Sequence, residues 1–188
     1  MLDWSLDAFR ASQSVGPMVV AAPPGHETEI DADDVITVPG GETRSESVAT
    51  AIERCEGDII VVHDAARPLV TPELIDSVIA ELAADEASGA VVAATPVTDT
   101  VKQVLRGKEV DGTLDRSSLW AAQTPQAFRA EALREALGST ALLSQATDEA
   151  MLIERLGGKV LLHEAPAENL KVTTPLDLRV AELLLAAR

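Results

Sequence analysis

The stretch Val61 to Pro68, VVHDAARP, reads as a buried strand that ends abruptly in charge, with His63, Asp64 and Arg67 crowded at its carboxyl end. In open α/β sheets, ligands bind beyond the carboxyl ends of the strands, where loops present charge without burying it. Asp64 and Arg67 therefore stand where a ligand would be met, although a local Asp-Arg ion pair closing the sheet needs the same two residues. GGETRSES, from Gly40, leads into a helix. Its glycines could let backbone amides approach a ligand while the helix N-terminus favours anions; a tight turn also accounts for them. TLDRSSLWAAQTPQAF places Arg116 and Thr124 around an expected strand pair, and ENLKVTTPLDL places Lys171 just before the last helix. Singly, each has a structural role open to it: Arg116 as a solvated hairpin charge, Thr124 as a turn residue before Pro125, Lys171 as an edge-strand gatekeeper.

The elements that must carry these residues alternate. Apolar β-branched runs are expected as strands at Met18 to Ala22, Val35 to Val38, Asp58 to Val62, Gly89 to Val97 and Lys159 to His163. Helical periodicity is expected over Leu2 to Ser12, Ser47 to Arg54, Thr71 to about Ala83, Arg129 to Leu137, Asp148 to Leu156 behind a Thr147 cap, and Pro175 to Ala187 behind Thr174. Thr71 as N-cap, Pro72 at the first helical position and Glu73 in the first turn are a helix-opening signature. Near-continuous apolar strands separated by helices predict an α/β fold with a mainly parallel sheet covered on both faces. The polar, alternating segment from Thr98 to Ala122, with a turn signal at Asp111-Gly112, predicts a protruding hairpin. Asp31 to Asp34 is expected as a solvated acidic turn.

Composition bounds the function. The 188 residues are 46% hydrophobic, enough for one sizeable core and one domain spanning 1–188. The formal net charge of −16 argues against a nucleic-acid surface. One cysteine excludes an intrachain disulfide framework, and no apolar run reaches about 18 residues, so the expectation is a soluble cytoplasmic protein without membrane partners. With 2% aromatics and no tyrosine, the core must be aliphatic.

Taken together, GGETRSESV, VVHDAARP, PVTDTVK, DRSSLWAAQTPQAF, ATDEA and ENLKVTTPLDL closely resemble the 2-C-methyl-D-erythritol 4-phosphate cytidylyltransferase family. The resemblance runs from the first residue to the last. It implies a Rossmann-like nucleotidyltransferase sheet whose hairpin at 98–122 is a dimerisation arm. It also implies a Mg²⁺-assisted reaction joining CTP to the alcohol phosphate with release of pyrophosphate, in non-mevalonate isoprenoid biosynthesis.

By that resemblance Gly41, Glu42 and Ser47 line the cytidine site, Glu42 standing where most relatives carry Asp. Asp64 lies beside the metal and substrate, Ala65 against the ribose, and Arg67 near the methylerythritol moiety. Thr124, Thr147 and Lys171 act within the same chain, whereas Thr100 and Arg116 complete the partner's site. Asp64, Arg67 and Lys171 are the implied catalytic set. The family's opening strand and glycine-rich loop, AAGxGxR followed by PK, have no counterpart in these residues. Met1 to Phe9 matches the helix after that loop, and the expectation is impaired triphosphate binding. A catalytically impaired dimeric paralogue and a ribitol 5-phosphate cytidylyltransferase are the alternatives.

Overall fold

The computed structural model describes residues 1–30, 32–138 and 147–188; Asp31 of the acidic turn and Ala146 of ATDEA lie outside the described residues. Helix α1 (Leu2–Ala11) precedes β1 (Met18–Ala22) and β2 (Val35–Pro39), which pair in parallel from Met18 opposite Val35 to Ala22 opposite Pro39. Helix α2 (Arg44–Ile52), β3 (Ile59–Val62), α3 (Pro72–Ala84) and β4 (Ser88–Pro96) follow. The arm then intervenes before β7 (Trp120–Arg129), α4 (Ala130–Leu137), α5 (Glu149–Arg155), β8 (Lys159–Glu164) and α6 (Pro175–Leu185).

The larger sheet has the order β3-β7-β4-β8. β3, β4 and β8 run in one direction and β7 is reversed between β3 and β4. The reversal follows from connectivity: β4 passes into the arm and the chain returns alongside it as a hairpin, so no helical crossover turns β7 parallel. Alternation along β4 then divides two cores. Val91 and Ala93 face α3, packing with Leu74, Ile75, Val78 and Leu82. Ala90 and Val92 face α4 and α5, packing with Phe128, Leu133, Leu152 and Ile153. With so few aromatic residues, this core is aliphatic as composition required.

Helix starts show where local sequence suffices. Thr71 accepts from the Leu74 amide at 3.3 Å with Pro72 at the first position, and Thr174 forms a capping box with Asp177. Two expected starts are corrected. Helix α2 begins at Arg44 rather than Ser47, because Thr43 and Glu46 form a reciprocal capping box: Thr43 Oγ1 accepts from the Glu46 amide at 3.2 Å, and Glu46 Oε2 accepts from the Thr43 amide at 3.0 Å. Helix α5 is capped by Asp148, not Thr147. Asp148 Oδ1 accepts from the Met151 amide at 3.0 Å, and a carboxylate also favours the positive end of the helix.

The arm is a hairpin, as its alternating pattern predicts. Its root is the continuation of β4 against β7, Ala94 opposite Ala122 through Pro96 opposite Trp120. Its tip is a short antiparallel pair, β5 (Lys102–Gln103) with β6 (Gly112–Thr113). Asp111-Gly112 is not the turn itself. The Asp111 amide already donates to the Gln103 carbonyl at 2.9 Å, so these two residues open the returning strand. Between the β1–β2 pair and β3 lies a cavity of about 790 Å³, apolar along Val19, Val48, Ile52 and Ile60 and polar at its end, where Arg44 and Asp64 stand.

Candidate active site

β3 stops at Val62 because the chain behind it is held by a hydrogen-bonded turn rather than by a neighbouring strand. The Arg67 amide donates to the Asp64 carbonyl at 2.9 Å. The Asp64 amide donates to Thr124 Oγ1 at 3.0 Å, and Thr124 Oγ1 lies 3.0 Å from His63 Nδ1. The Arg67 carbonyl can only accept, so in the neutral ring the proton sits on Nε2 and Nδ1 accepts from the Thr124 hydroxyl. His63 Nε2–H is then the donor to the Arg67 carbonyl, 3.2 Å away. Burial takes the His63 pKa down to about 4 and so keeps the imidazole neutral.

Arg67 is buried to 8% exposure and donates from Nη1 to the Asn169 carbonyl at 2.7 Å. Asn169 is itself buried, giving its amide protons to Gln123 Oε1 and to the Thr124 carbonyl, both at 2.8 Å. The segment carrying Lys171 is tied down by the Val172 amide on the Ala66 carbonyl at 2.8 Å, so Lys171 projects across the strand end. Its ammonium reaches Asp64 Oδ2 at 2.9 Å. Lys171 therefore stands in a loop before α6, not on the edge strand that a gatekeeper requires.

Three cations surround one carboxylate. Asp64 Oδ2 is 2.9 Å from Lys171 and 3.9 Å from Arg67 Nε, while Oδ1 accepts from Arg44 Nε at 3.1 Å. Burial pushes the Asp64 carboxyl up, but Lys171 and Arg44 outweigh that and hold it below the usual carboxylate range. Burial likewise lowers the Arg67 guanidinium, with Asp64 opposing. The result is a local cationic excess on a chain whose net charge is −16, as recognition of phosphate groups requires.

The structure thus brings Asp64, Arg67, Thr124 and Lys171 together, with exposed Ala65 next to them. Thr124 is 2% exposed and its hydroxyl is spent on His63 and Asp64, so it holds the strand end in place. Thr124 thus lies within β7 and not in a turn before Pro125. Across the site, the Gly41 amide donates to Ser47 Oγ at 3.0 Å, and Ser47 Oγ donates to the Thr43 carbonyl at 3.0 Å. A Cβ on Gly41 would lie 2.3 Å from Glu46 Cβ, so glycine is demanded there by the first turn of α2. Glu42 and Thr147 are exposed, and Thr100 and Arg116 lie exposed on the arm. Arg116 donates to the Thr98 carbonyl of its own chain.

Arg44, His63, Gln123, Glu149 and Asn169 belong to this network without having been singled out as site residues. The T-x-x-E capping box at Thr43 was readable and would have placed Arg44 at a helix start facing the strand ends. The pairing of Arg44 with Glu149, 105 positions away, leaves no local signal.

Among the described residues no group of three or more His, Cys, Asp or Glu gathers to hold a metal ion. Mg²⁺ does not require one, because it keeps several waters and binds through one or two carboxylates plus substrate phosphates. The Asp64 carboxylate lines that cavity and would offer Mg²⁺ an oxygen in that mode once Lys171 leaves Oδ2. Among the described residues no helix is long and apolar enough to cross a membrane.

The 2-C-methyl-D-erythritol 4-phosphate cytidylyltransferase family matches residues 1–187. A cytidylyltransferase of that description from Synechococcus sp. is 40% identical over 197 residues, covering 100% of this chain and 87% of the relative. Another from Bacillus licheniformis is 44% identical over 152 residues, covering 80% and 64%. The crystal structure of the Thermus thermophilus enzyme superposes with a TM-score of 0.86 at 35% identity, over 98% of this chain and 88% of that one. The match spans the strand ends, the arm and the closing helix alike, and the chain belongs to the 2-C-methyl-D-erythritol 4-phosphate cytidylyltransferase family.

Proposed function

We propose that the protein joins CTP to 2-C-methyl-D-erythritol 4-phosphate, giving the CDP-alcohol and pyrophosphate in isoprenoid biosynthesis. The observation that carries this reading is the cationic shell of Lys171, Arg67 and Arg44 around Asp64 at the carboxyl end of β3. A phosphate oxygen of the alcohol phosphate attacks the α-phosphorus of CTP. The bond from that phosphorus to the β-phosphate oxygen breaks, and pyrophosphate carries the electron pair away. Such a reaction asks the protein chiefly for alignment and charge neutralisation.

Each residue then has a part. Lys171, 43% exposed and able to leave Asp64, meets the incoming phosphate; Arg67, anchored on Asn169, fixes the alcohol phosphate from behind. Gly41, Glu42 and Ser47 border the base, Ala65 the ribose, and Thr147 the far side of the cleft. Thr124 orients Asp64 through its backbone amide. Asp64 would hold Mg²⁺, which when bound neutralises phosphate charge. Thr100 and Arg116 reach the site of a second copy, so the working form is a homodimer joined by its arms. The protein acts in the cytoplasm as one domain.

None of the relatives reported above is named for ribitol 5-phosphate, which favours the methylerythritol substrate. The test is pyrophosphate release from CTP and Mg²⁺ with each alcohol phosphate in turn. Release with methylerythritol phosphate at a kcat/KM well above that for ribitol phosphate is expected. Equal use of both, or of neither, would overturn the substrate assignment.

A further inference from the structure

Arg44 occupies a position that helix physics alone disfavours. It is the first residue of α2, where the exposed amides make the helix end positive and disfavour a cation. What holds it there is Glu149, the first residue of α5. Arg44 Nη1 donates to Glu149 Oε2 at 2.5 Å. Glu149 is 0% exposed and its Oε1 has no hydrogen-bond partner, so its charge is tolerable only while Arg44 is present. Arg44 is thus pinned at one end by a wholly buried carboxylate. At the other end its Nε reaches Asp64 Oδ1 at 3.1 Å.

The two oxygens of Asp64 are consequently held by unlike partners. Oδ1 is held by Arg44, which is fixed; Oδ2 is held by Lys171, which is half-exposed and able to exchange, with Arg67 Nε farther off at 3.9 Å. A guanidinium can present Nε–H to one carboxylate and Nη1–H to another in one plane, whereas an ammonium is a single point of charge. We propose that Arg44 is the positioning residue of the site. Clamped by Glu149, it sets the orientation of Asp64 and keeps the second oxygen, Oδ1, from joining Oδ2 on Lys171, so that the ammonium is held by one oxygen only and can pass to substrate phosphate. Without it, Asp64 turns both oxygens toward Lys171 and the two neutralise one another. The inference rests on the cytidylyl-transfer reading for its kinetic consequence, but the clamp itself does not.

Two measurements test it separately. In a ¹H–¹⁵N spectrum of the unliganded protein, the Arg44 Nε–H signal, identified by its loss in Arg44→Lys, is expected to shift on Asp64→Asn and again on Glu149→Gln. A signal indifferent to both substitutions overturns the clamp, and this readout needs no turnover. In kinetics, Arg44→Ala is expected to lower kcat/KM by about 10- to 100-fold, the loss produced by misaligning a reacting group. Added guanidinium at millimolar concentration should restore part of that loss in Arg44→Ala and none in Asp64→Ala. Arg44→Lys guards against misfolding, since it keeps a cation against Glu149. It should melt with the parent yet turn over more slowly. Parental kcat/KM in Arg44→Lys, or a loss in folded Arg44→Ala that guanidinium leaves unchanged, overturns the proposal. An inactive parent whose Arg44 signal shifts as expected sinks the transfer reading alone.

Discussion

The polar end of β3 and the arm draw on the same residue types, Arg, Asp, Lys and Thr, yet they are held in opposite ways. At the strand end the bonds are long-range: Asp64 to Thr124 across 60 positions, Arg67 to Asn169 across 102, Arg44 to Glu149 across 105 and Lys171 to Asp64 across 107. On the arm they stay within the hairpin itself: Asp115 to Ser117 across 2 positions, Lys102 to Thr113 across 11 and Arg116 to the Thr98 carbonyl across 18. The first arrangement is over-determined by the folded core. The second fixes local shape only, and it leaves Leu105 at 68% and Val110 at 53% exposure. Apolar side chains displayed on a locally held hairpin would gain burial from a partner, as the proposed homodimer requires.

The largest expected effect tests the over-determined region. Arg67→Ala should lower kcat/KM for the alcohol phosphate by about 10²- to 10³-fold, the range for loss of one preorganised charge-stabilising group. It should also cost stability, because the Asn169 carbonyl loses its buried donor. Pyrophosphate-release kinetics together with urea unfolding read both. Parental turnover in a folded variant would remove Arg67 from the site.

The arm should respond in a different currency. If Arg116 acts across the dimer, Arg116→Ala and Asp64→Ala proteins, each inactive alone, should recover about a quarter of parental activity when mixed in equal amounts. Random exchange of subunits makes half the molecules mixed dimers, each with one intact site of two. Verified subunit exchange without recovery would confine Arg116 to its own chain, where it already donates to the Thr98 carbonyl.

A pH titration separates the two regions again. Free histidine titrates near 6.5, whereas buried His63 does so at about 4. Below pH 6.5 the unfolded chain takes a proton that the folded chain refuses until about pH 4, so stability present above 6.5 is lost progressively as pH falls through that window. The span corresponds to about 3 kcal/mol. The groups around His63 are the Thr124 hydroxyl, the Arg67 carbonyl and guanidinium, Asp64, and the Phe9 ring at 5.4 Å. Urea unfolding between pH 7 and 4 should show a slope that flattens in His63→Gln. An unchanged slope would assign the acid sensitivity to other groups.

The same contrast explains what the sequence disclosed. Apolar β-branched runs, the Thr71-Pro72 helix opening and the alternating arm are local signals, and the structure follows them. The T-x-x-E box at Thr43 was equally local and moves the start of α2 to Arg44. Asp64 and Arg67 announced themselves because charge at the end of an apolar strand is conspicuous. Glu149 and Asn169 did not, since in the sequence they are an ordinary first-turn acid and an ordinary loop amide. Only the fold buries them and turns them toward Arg44 and Arg67. The reversed direction of β7 was hidden for a related reason: its apolar run fits either direction, and the arm's return path decides.

The smallest effect sharpens the comparison most closely, because it sets two caps of similar chemistry against each other. Thr43 caps α2, and Asp115 caps the short turn Arg116–Ser118 on the arm. Thr43→Ala removes an acceptor for the Glu46 amide and should cost about 1 kcal/mol, a typical N-cap loss. Since Arg44 follows Thr43 directly, fraying that turn should also loosen the clamp on Asp64, giving a several-fold drop in kcat/KM beside the small stability loss. Asp115→Ala removes an acceptor for the Ser117 amide in an exposed turn that supports no core element, so monomer stability should stay within about 0.5 kcal/mol of the parent. Its effect should surface in dimer dissociation measured by dilution, because Arg116 sits in that turn. If Thr43→Ala lost stability without losing turnover, α2 would be a support for the fold and not for the site. If Asp115→Ala unfolded the chain, the arm would be part of the core after all.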